Sequence, residues 1–145
     1  MAVKIDIEFA EELRNTVTRL IKKLRRESPT GERLSLTERS TMALLQQYKA
    51  LLPNELAAME MITNQSMSQV LNHLHELGYI TRTVSQDDKR KINISLSKEG
   101  EETLLQFRQE RNEWLAKAII TSCTPEEQVL LKQVIIPLKK LIDYK

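Results

Sequence analysis

Apolar positions repeat with a helical period over most of the chain and switch to a period of two in one short stretch. Leu13, Val17, Leu20 and Leu24 fall at i, i+4, i+7 and i+11, one stripe of a helix expected from about Ile5 to Arg26. Ser28-Pro29-Thr30-Gly31 breaks it. Thr37 reads as the N-cap of a helix ending near Tyr48, with Met42, Leu44 and Leu45 turned partly inward. Pro53 suits the first position of a short helix to Glu60. The next helix is expected from Thr63 to Leu77, closed by Gly78, with Met67, Val70, Leu71 and Leu74 as its buried stripe. Two short helices joined by about three residues predict a helix-turn-helix.

Beyond Gly78 the period changes. Ile80 and Val84 bracket one strand, and Ile92, Ile94 and Leu96 alternate with Lys91, Asn93 and Ser95 in a second. The polar turn Ser85-Gln86-Asp87-Asp88-Lys89 lies between them. Ser97 can cap a long helix with Gly100 in its first turn, running through Phe107, Trp114, Leu115 and Ala118 to about Ser122. Thr124-Pro125-Glu126-Glu127 starts the last helix with a cap, a proline at the first position and an acid three residues on. That helix carries Leu131, Val134, Leu138 and Leu141, with Ile135 and Ile142 beside them, and Pro137 is expected to kink it.

The predicted fold is mainly α: a winged helix-turn-helix with one β-hairpin wing, flanked by long dimerisation helices from both termini. The expected divisions are an N-terminal dimerisation helix in 1–33, a winged helix-turn-helix DNA-binding domain in 34–100 and C-terminal dimerisation helices in 101–145. The middle is too small to cover both flanks, so a second copy of the chain is the economical cover. About four Leu or Ile side chains per helix, at roughly 1.5–3 kcal/mol each, suffice for an obligate dimer.

Composition fits this picture. Of 145 residues, 41% are hydrophobic, 4% aromatic and 29% charged, with only three glycines and four prolines, which favours long helices. A net charge of +2 means that any nucleic-acid role rests on a local patch. The single cysteine, Cys123, permits no intrachain disulfide and fits a reducing cytoplasm. No apolar leader or membrane-length apolar run appears, so no membrane partner is expected. The glycines are scattered and form no phosphate loop, and there is no nucleophile elbow. His73 and His75 are spaced i, i+2, which points them to different sides of a helix. The expectation is no enzyme, no catalytic residue, no metal and no cofactor.

The candidate chemistry is on the helix from Thr63 to Leu77. Opposite its apolar stripe, Gln65, Ser68, Gln69 and Asn72 share one face made only of amides and hydroxyls. No acid occurs between Thr63 and His75, where solvated helices ordinarily carry Glu and Lys. Amides and hydroxyls are the groups that read base edges, Asn or Gln pairing bidentately with adenine. A helix entering the major groove brings its N-terminal turns nearest the bases, and these hold Asn64, Gln65, Ser66, Ser68 and Gln69.

The hairpin adds the charge. Arg82, Lys89, Arg90 and Lys91 lie on it, four of the five bases between Ile62 and Lys98, against the acids Glu76, Asp87 and Asp88. A protruding strand pair with arginine at its tip suits phosphate contact and entry into a narrow minor groove. Asp88 is expected either to structure the wing by pairing Arg90 or a neighbour, or simply to form the turn.

With these residues in view, the sequence resembles the MarR family of transcription regulators over nearly its whole length. Asp88-Lys89-Arg90, followed by Ile92-Asn93-Ile94-Ser95-Leu96-Ser97-Lys98-Glu99-Gly100, is similar to the family's wing motif and the helix start after it. Met67 to Leu74, with Leu77-Gly78-Tyr79-Ile80 and Arg82, resembles the family's recognition helix and its step into the wing. Leu34-Ser35-Leu36-Thr37 and Glu55-Leu56-Ala57 match the preceding helix starts. The resemblance implies a homodimer built from the first and last helices on a pseudo-palindromic operator. It implies regulation, usually repression, relieved by a small phenolic or lipophilic effector or by oxidation. It carries DNA contacts to Ser66, Ser68, Gln69, Arg82 and Arg90.

There are departures. Many members have Arg where Gln69 stands and a small residue where Lys91 stands. Peroxide-sensing members carry a reactive cysteine near the start of the first helix, a position that Cys123 does not occupy. Cys123 reads as an isolated thiol or a small packing residue. Tyr48, Phe107 and Trp114 could line an effector cavity, but aromatics on a helical stripe are more often core, so no effector residue is assigned. The alternative is a winged-helix interaction and dimerisation module without DNA binding, which would leave the amide-rich face without a purpose.

Overall fold

Side-chain caps set where the helices begin in the computed structural model, which describes residues 3–31 and 33–145. Asp6 caps α1 (Ile7–Arg26), its carboxylate accepting from the Phe9 N–H at 3.0 Å. Ser35 caps α2 (Leu36–Tyr48): its hydroxyl accepts from the Glu38 N–H at 3.1 Å, and the Glu38 carboxylate accepts from the Ser35 N–H at 2.8 Å. The cap expected at Thr37 is therefore two residues late. Ser35-Leu36-Thr37-Glu38 is a complete capping box, and its two reciprocal bonds outweigh the single one that Thr37 could make. Pro53 opens α3 (Pro53–Glu60), with Glu55 accepting from the Leu52 N–H at 2.9 Å. Thr63 is the N-cap of α4 (Asn64–Glu76) and not its first residue.

Gly78, at φ +80°, leads into β1 (Ile80–Val84), which pairs antiparallel with β2 (Ile92–Leu96) in the register Ile80↔Leu96 to Val84↔Ile92. Two long helices follow, α5 (Lys98–Ser122) and α6 (Pro125–Asp143), the latter continuing through Pro137. This is the mainly α, winged helix-turn-helix architecture with one hairpin that the hydrophobic pattern predicts.

Two compact units result. One, Ser28–Gln109, holds α2, α3, α4, the hairpin and the first part of α5. Its core joins Met42 and Leu45 of α2, Leu56 of α3, Met67, Leu71 and Leu74 of α4, Ile80 and Ile94 of the hairpin, and Leu104 and Phe107 of α5. Val70 and Leu44 pack at its edge. Phe107 is thus a core residue, 1% exposed. Leu51 adds a bridge to the wing that the sequence pattern does not predict, exchanging backbone bonds with Ile94 at 3.0 and 2.8 Å. To reach it, the chain makes a three-residue γ-turn at Lys49 (φ 70°, ψ −49°), closed by the Ala50 N–H on the Tyr48 carbonyl at 2.8 Å.

The other unit contains α1, α5 from Glu110 onward, and α6. Neither α1 nor α6 has a buried residue. Val17, Leu20 and Ile21 on α1, and Leu131, Val134, Ile135, Leu141 and Ile142 on α6, all face solvent. Within this unit the Lys23 ammonium lies 5.5 Å from the centre of the Trp114 ring.

The turn between α3 and α4 is held by Met61 in the left-handed region (φ 55°, ψ 43°), with the Ile62 N–H reaching back to the Ala57 carbonyl at 3.0 Å. The Met61 side chain is 90% exposed and has little packing to lose. Met61→Gly should therefore stabilise the protein by about 0.5–1 kcal/mol, because only glycine takes this conformation without steric cost. Urea unfolding checks it: a lower midpoint for the variant would mean that the Met61 side chain contributes more than its backbone costs.

Candidate nucleic-acid interface

The cap on α4 comes first. The Thr63 hydroxyl accepts from the Ser66 N–H at 3.0 Å and donates to the Ser66 hydroxyl at 3.0 Å. Ser66, expected to contact DNA, is thus partly engaged in holding its own helix start. The apolar stripe anchors the rest of the helix: Met67, Leu71 and Leu74 are buried, which turns Asn64, Gln65, Ser68, Gln69 and Asn72 out to solvent. Among the described residues no hydrogen bond engages the side chains of Asn64, Gln65, Ser68 or Gln69. Asn72 differs. Its carbonyl oxygen accepts from Nη2 of Arg82 on β1 at 2.8 Å.

The wing places Arg82, Lys89, Arg90 and Lys91 in the open. Its tip is closed by the Ser85 N–H on the Lys91 carbonyl at 2.8 Å and the Lys91 N–H on the Asp88 carbonyl at 2.9 Å. The Asp88 carboxylate accepts three bonds from Arg90: from its backbone N–H at 3.0 Å, from Nε at 3.2 Å and from Nη2 at 3.3 Å. The Arg90 side-chain and backbone bonds, helped by the charge of Lys91, hold the Asp88 carboxyl below its ordinary pKa. A depressed value means that the pair contributes at every pH above the normal carboxylate range and is lost only as pH falls through the lowered value, so it is intact near neutrality. Asp88 uses two of the five guanidinium donors and leaves the others facing outward.

Asn64 and Ser68 of α4, Arg90, Lys91 and Ile92 of the wing, and Leu52, Pro53 and Asn54 at the start of α3 surround one concavity of about 380 Å³. No acid lines it, and two cations do. The fold thus brings four of the expected residues together there and joins Asn72 to Arg82 elsewhere. Gln65, Gln69 and Lys89 are exposed but line neither place. Asn54 was not expected. Its signal is positional: Pro53 and Glu55 fix a helix start whose second residue must sit at an open end.

His73 also acquires a partner. Its ring Nδ1 meets the Glu38 carboxylate, the group that closes the capping box of α2. Ser35, Glu38, Gln69, Val70 and His73 together border a smaller hollow of about 210 Å³ on the flank of α4. Thirty-five positions separate the pair, so no local spacing predicts it. Among the described residues no group of three His, Cys, Asp or Glu could hold a metal ion, and no helix is long and apolar enough to cross a membrane.

Residues 34–91 match a MarR family model. An uncharacterised HTH-type transcriptional regulator of Mycobacterium bovis is 31% identical over 125 residues, covering 86% of this chain and 87% of that protein. Among solved structures, a protein from Pseudomonas aeruginosa described as a transcriptional regulator superposes with a TM-score of 0.79 at 29% identity, covering 99% of this chain and 100% of that one. A MepR variant from S. aureus, bound to an oligodeoxyribonucleotide, shares the fold with a TM-score of 0.70 at 18% identity, covering 94% and 99%.

Proposed function

The chain belongs to the MarR family of transcriptional regulators, and from that premise we propose that it binds a near-palindromic operator as a homodimer and regulates transcription by reading its sequence. One observation carries this reading. An exposed, acid-free face of amides and hydroxyls on α4 stands beside a hairpin bearing four cations. The N-terminal turns of α4, with Asn64, Gln65, Ser66, Ser68 and Gln69, enter the major groove, and Asn72 follows one turn later. Arg82, Lys89, Arg90 and Lys91 meet phosphates and the adjacent minor groove, with Asp88 aiming Arg90. That a protein of the same fold is bound to an oligodeoxyribonucleotide supports the assignment.

The division of labour follows. Residues 34–100 bind DNA, while 1–33 and 101–145 dimerise through the exposed apolar faces of α1 and α6. The protein acts in the cytoplasm as a repressor, has no catalytic step, metal or cofactor of its own, and is released by a small phenolic or lipophilic effector.

Titration of affinity against salt tests the DNA reading. Eight wing cations per dimer set a limiting slope of about −7 in log K against log salt. Arg90→Ala should weaken binding to every sequence and reduce that slope by about 1 per subunit. An affinity indifferent to salt would overturn the proposal. Light scattering tests the assembly: the expected mass is near twice the 16.8 kDa of one chain. A 16.8 kDa species at micromolar concentration would remove the dimer.

A further inference from the structure

A helix in the major groove and a hairpin tip in the adjacent minor groove must stand on either side of one sugar–phosphate strand, because a single strand separates the two grooves of B-form DNA. In this fold the space between those two elements is the concavity of about 380 Å³. Asn64 and Ser68 form its α4 wall, Arg90 and Lys91 its wing wall, and the start of α3 supplies Asn54 as a third side. Cations, amides and a hydroxyl are the side chains that contact phosphates. Leu52, Pro53 and Ile92 add apolar surface against which a deoxyribose can pack. The two acids close by in sequence do not line the hollow and are engaged elsewhere. Glu55 accepts from the Leu52 N–H at 2.9 Å, and Asp88 accepts from the Arg90 side chain at 3.2 and 3.3 Å.

The same walls divide the polar face of α4. Asn64 and Ser68 are one turn apart and both reach the hollow. Gln65 and Gln69 form the neighbouring strip, about 100° further round the helix, and neither reaches it. Gln69 instead borders the other hollow, beside Glu38 and His73. Asn54 is exposed, and no hydrogen bond among the described residues engages its side chain, so its NH2 is free to donate. We infer that the hollow seats the strand separating the two grooves, that Asn54 of α3 donates to one of its phosphates, and that Asn64 and Ser68 hold this backbone while Gln65 and Gln69 are left to the bases. The inference rests on the DNA-binding reading above. A strand met from α3, α4 and the wing at once fixes how deeply α4 enters its groove relative to the wing.

The test uses the full chain on its selected operator, with uncharged methylphosphonate linkages placed one at a time along each half-site, and on random duplex. Neutralising the seated phosphate should weaken wild type by roughly tenfold. Asn54→Ala should lose roughly fivefold, equally on operator and random duplex, with an unchanged salt slope because an amide releases no counterion. On the operator neutralised at that one phosphate, Asn54→Ala should lose less than about twofold further, since the two changes remove the same contact. Asn54→Asp separates binding from folding. A carboxylate in the first turn of a helix favours the fold, yet here it faces a phosphate and should weaken both duplexes by more than roughly tenfold, most of it recovered at the same methylphosphonate. Ser68→Ala should behave as Asn54→Ala does, whereas Gln65→Ala should lose on the operator alone and add fully to every methylphosphonate. If both Asn54 variants bind as wild type, if their losses are confined to the operator, or if those losses add to a methylphosphonate at every position, the strand does not pass through the hollow. A Ser68→Ala loss on the operator alone would undo the division of α4. A wild-type chain that binds no duplex at all would instead remove the DNA-binding reading.

Discussion

Replacing Gly100 by alanine should destabilise the protein by about 3 kcal/mol, against a general expectation of the opposite sign. Gly100 is in the first turn of α5, where exchanging glycine for alanine ordinarily stabilises a helix by about 1 kcal/mol. Here a Cβ would stand 2.0 Å from the Tyr79 carbonyl oxygen and 2.9 Å from its carbon. Those atoms are backbone and they are tied down. The Tyr79 carbonyl accepts from the Ser97 N–H at 3.0 Å, the Ser97 hydroxyl donates to the Gly78 carbonyl at 2.5 Å, and the same hydroxyl accepts from the Gly100 N–H at 3.0 Å. Relief of the clash therefore requires breaking the seam that joins the end of α4, the root of β1 and the start of α5. Overpacking of this kind costs typically 1–3 kcal/mol and more where backbone must move, which exceeds the helix gain. A loss of that size is a large share of a stability of about 5–15 kcal/mol. The seam also sets the wing against α4, so operator affinity should fall with stability. Chemical denaturation at constant m-value measures the first effect. A variant as stable as its parent would mean that α5 does not approach Tyr79 as closely as described.

That seam illustrates what the sequence makes legible and what it hides. The period-two alternation of Ile92, Ile94 and Leu96 predicts β2 because a half-buried strand must alternate, and Ile94 is the residue that reaches the core. Met67, Leu71 and Leu74 predict the buried side of α4 for the equivalent helical reason. Ser97 as a cap and Thr124-Pro125 as a helix start are local patterns, and both are found in place. Pairs distant in sequence leave no such trace. Glu38 with His73, Leu51 with Ile94 and Asn72 with Arg82 are each set by how elements pack, and nothing in the spacing of their residues announces them. Gly100 belongs to both classes: it is visible as a glycine near a cap, while the need for it comes from a carbonyl 21 residues earlier. The candidate interface divides likewise. Its residue types can be read from the acid-free face, whereas the bond that joins Asn72 to Arg82 cannot.

Gln69→Ala should cost about 1–3 kcal/mol on the preferred operator, roughly 5- to 150-fold in affinity, and little on random DNA. Gln69 is exposed, and no hydrogen bond within the described residues holds its side chain. Folding stability should accordingly change by no more than about 0.5 kcal/mol, which keeps the binding result free of unfolding. The two DNA arms differ in physics. On the proposed reading, binding to random duplex would come from counterion release by wing cations, and an uncharged amide releases none. Binding to the operator adds hydrogen bonds to base edges, and a lost amide leaves a base donor and acceptor unpaired in the groove. Two copies of α4 in a symmetric dimer would lose this contact once per half-site, about one helical turn apart, so an operator with one altered half should show about half the free-energy loss. Filter binding or anisotropy on operator and random duplexes at one fixed salt separates the outcomes. Equal losses on both would place Gln69 on the phosphate backbone, and the argument from the acid-free amide face would fail at its central residue.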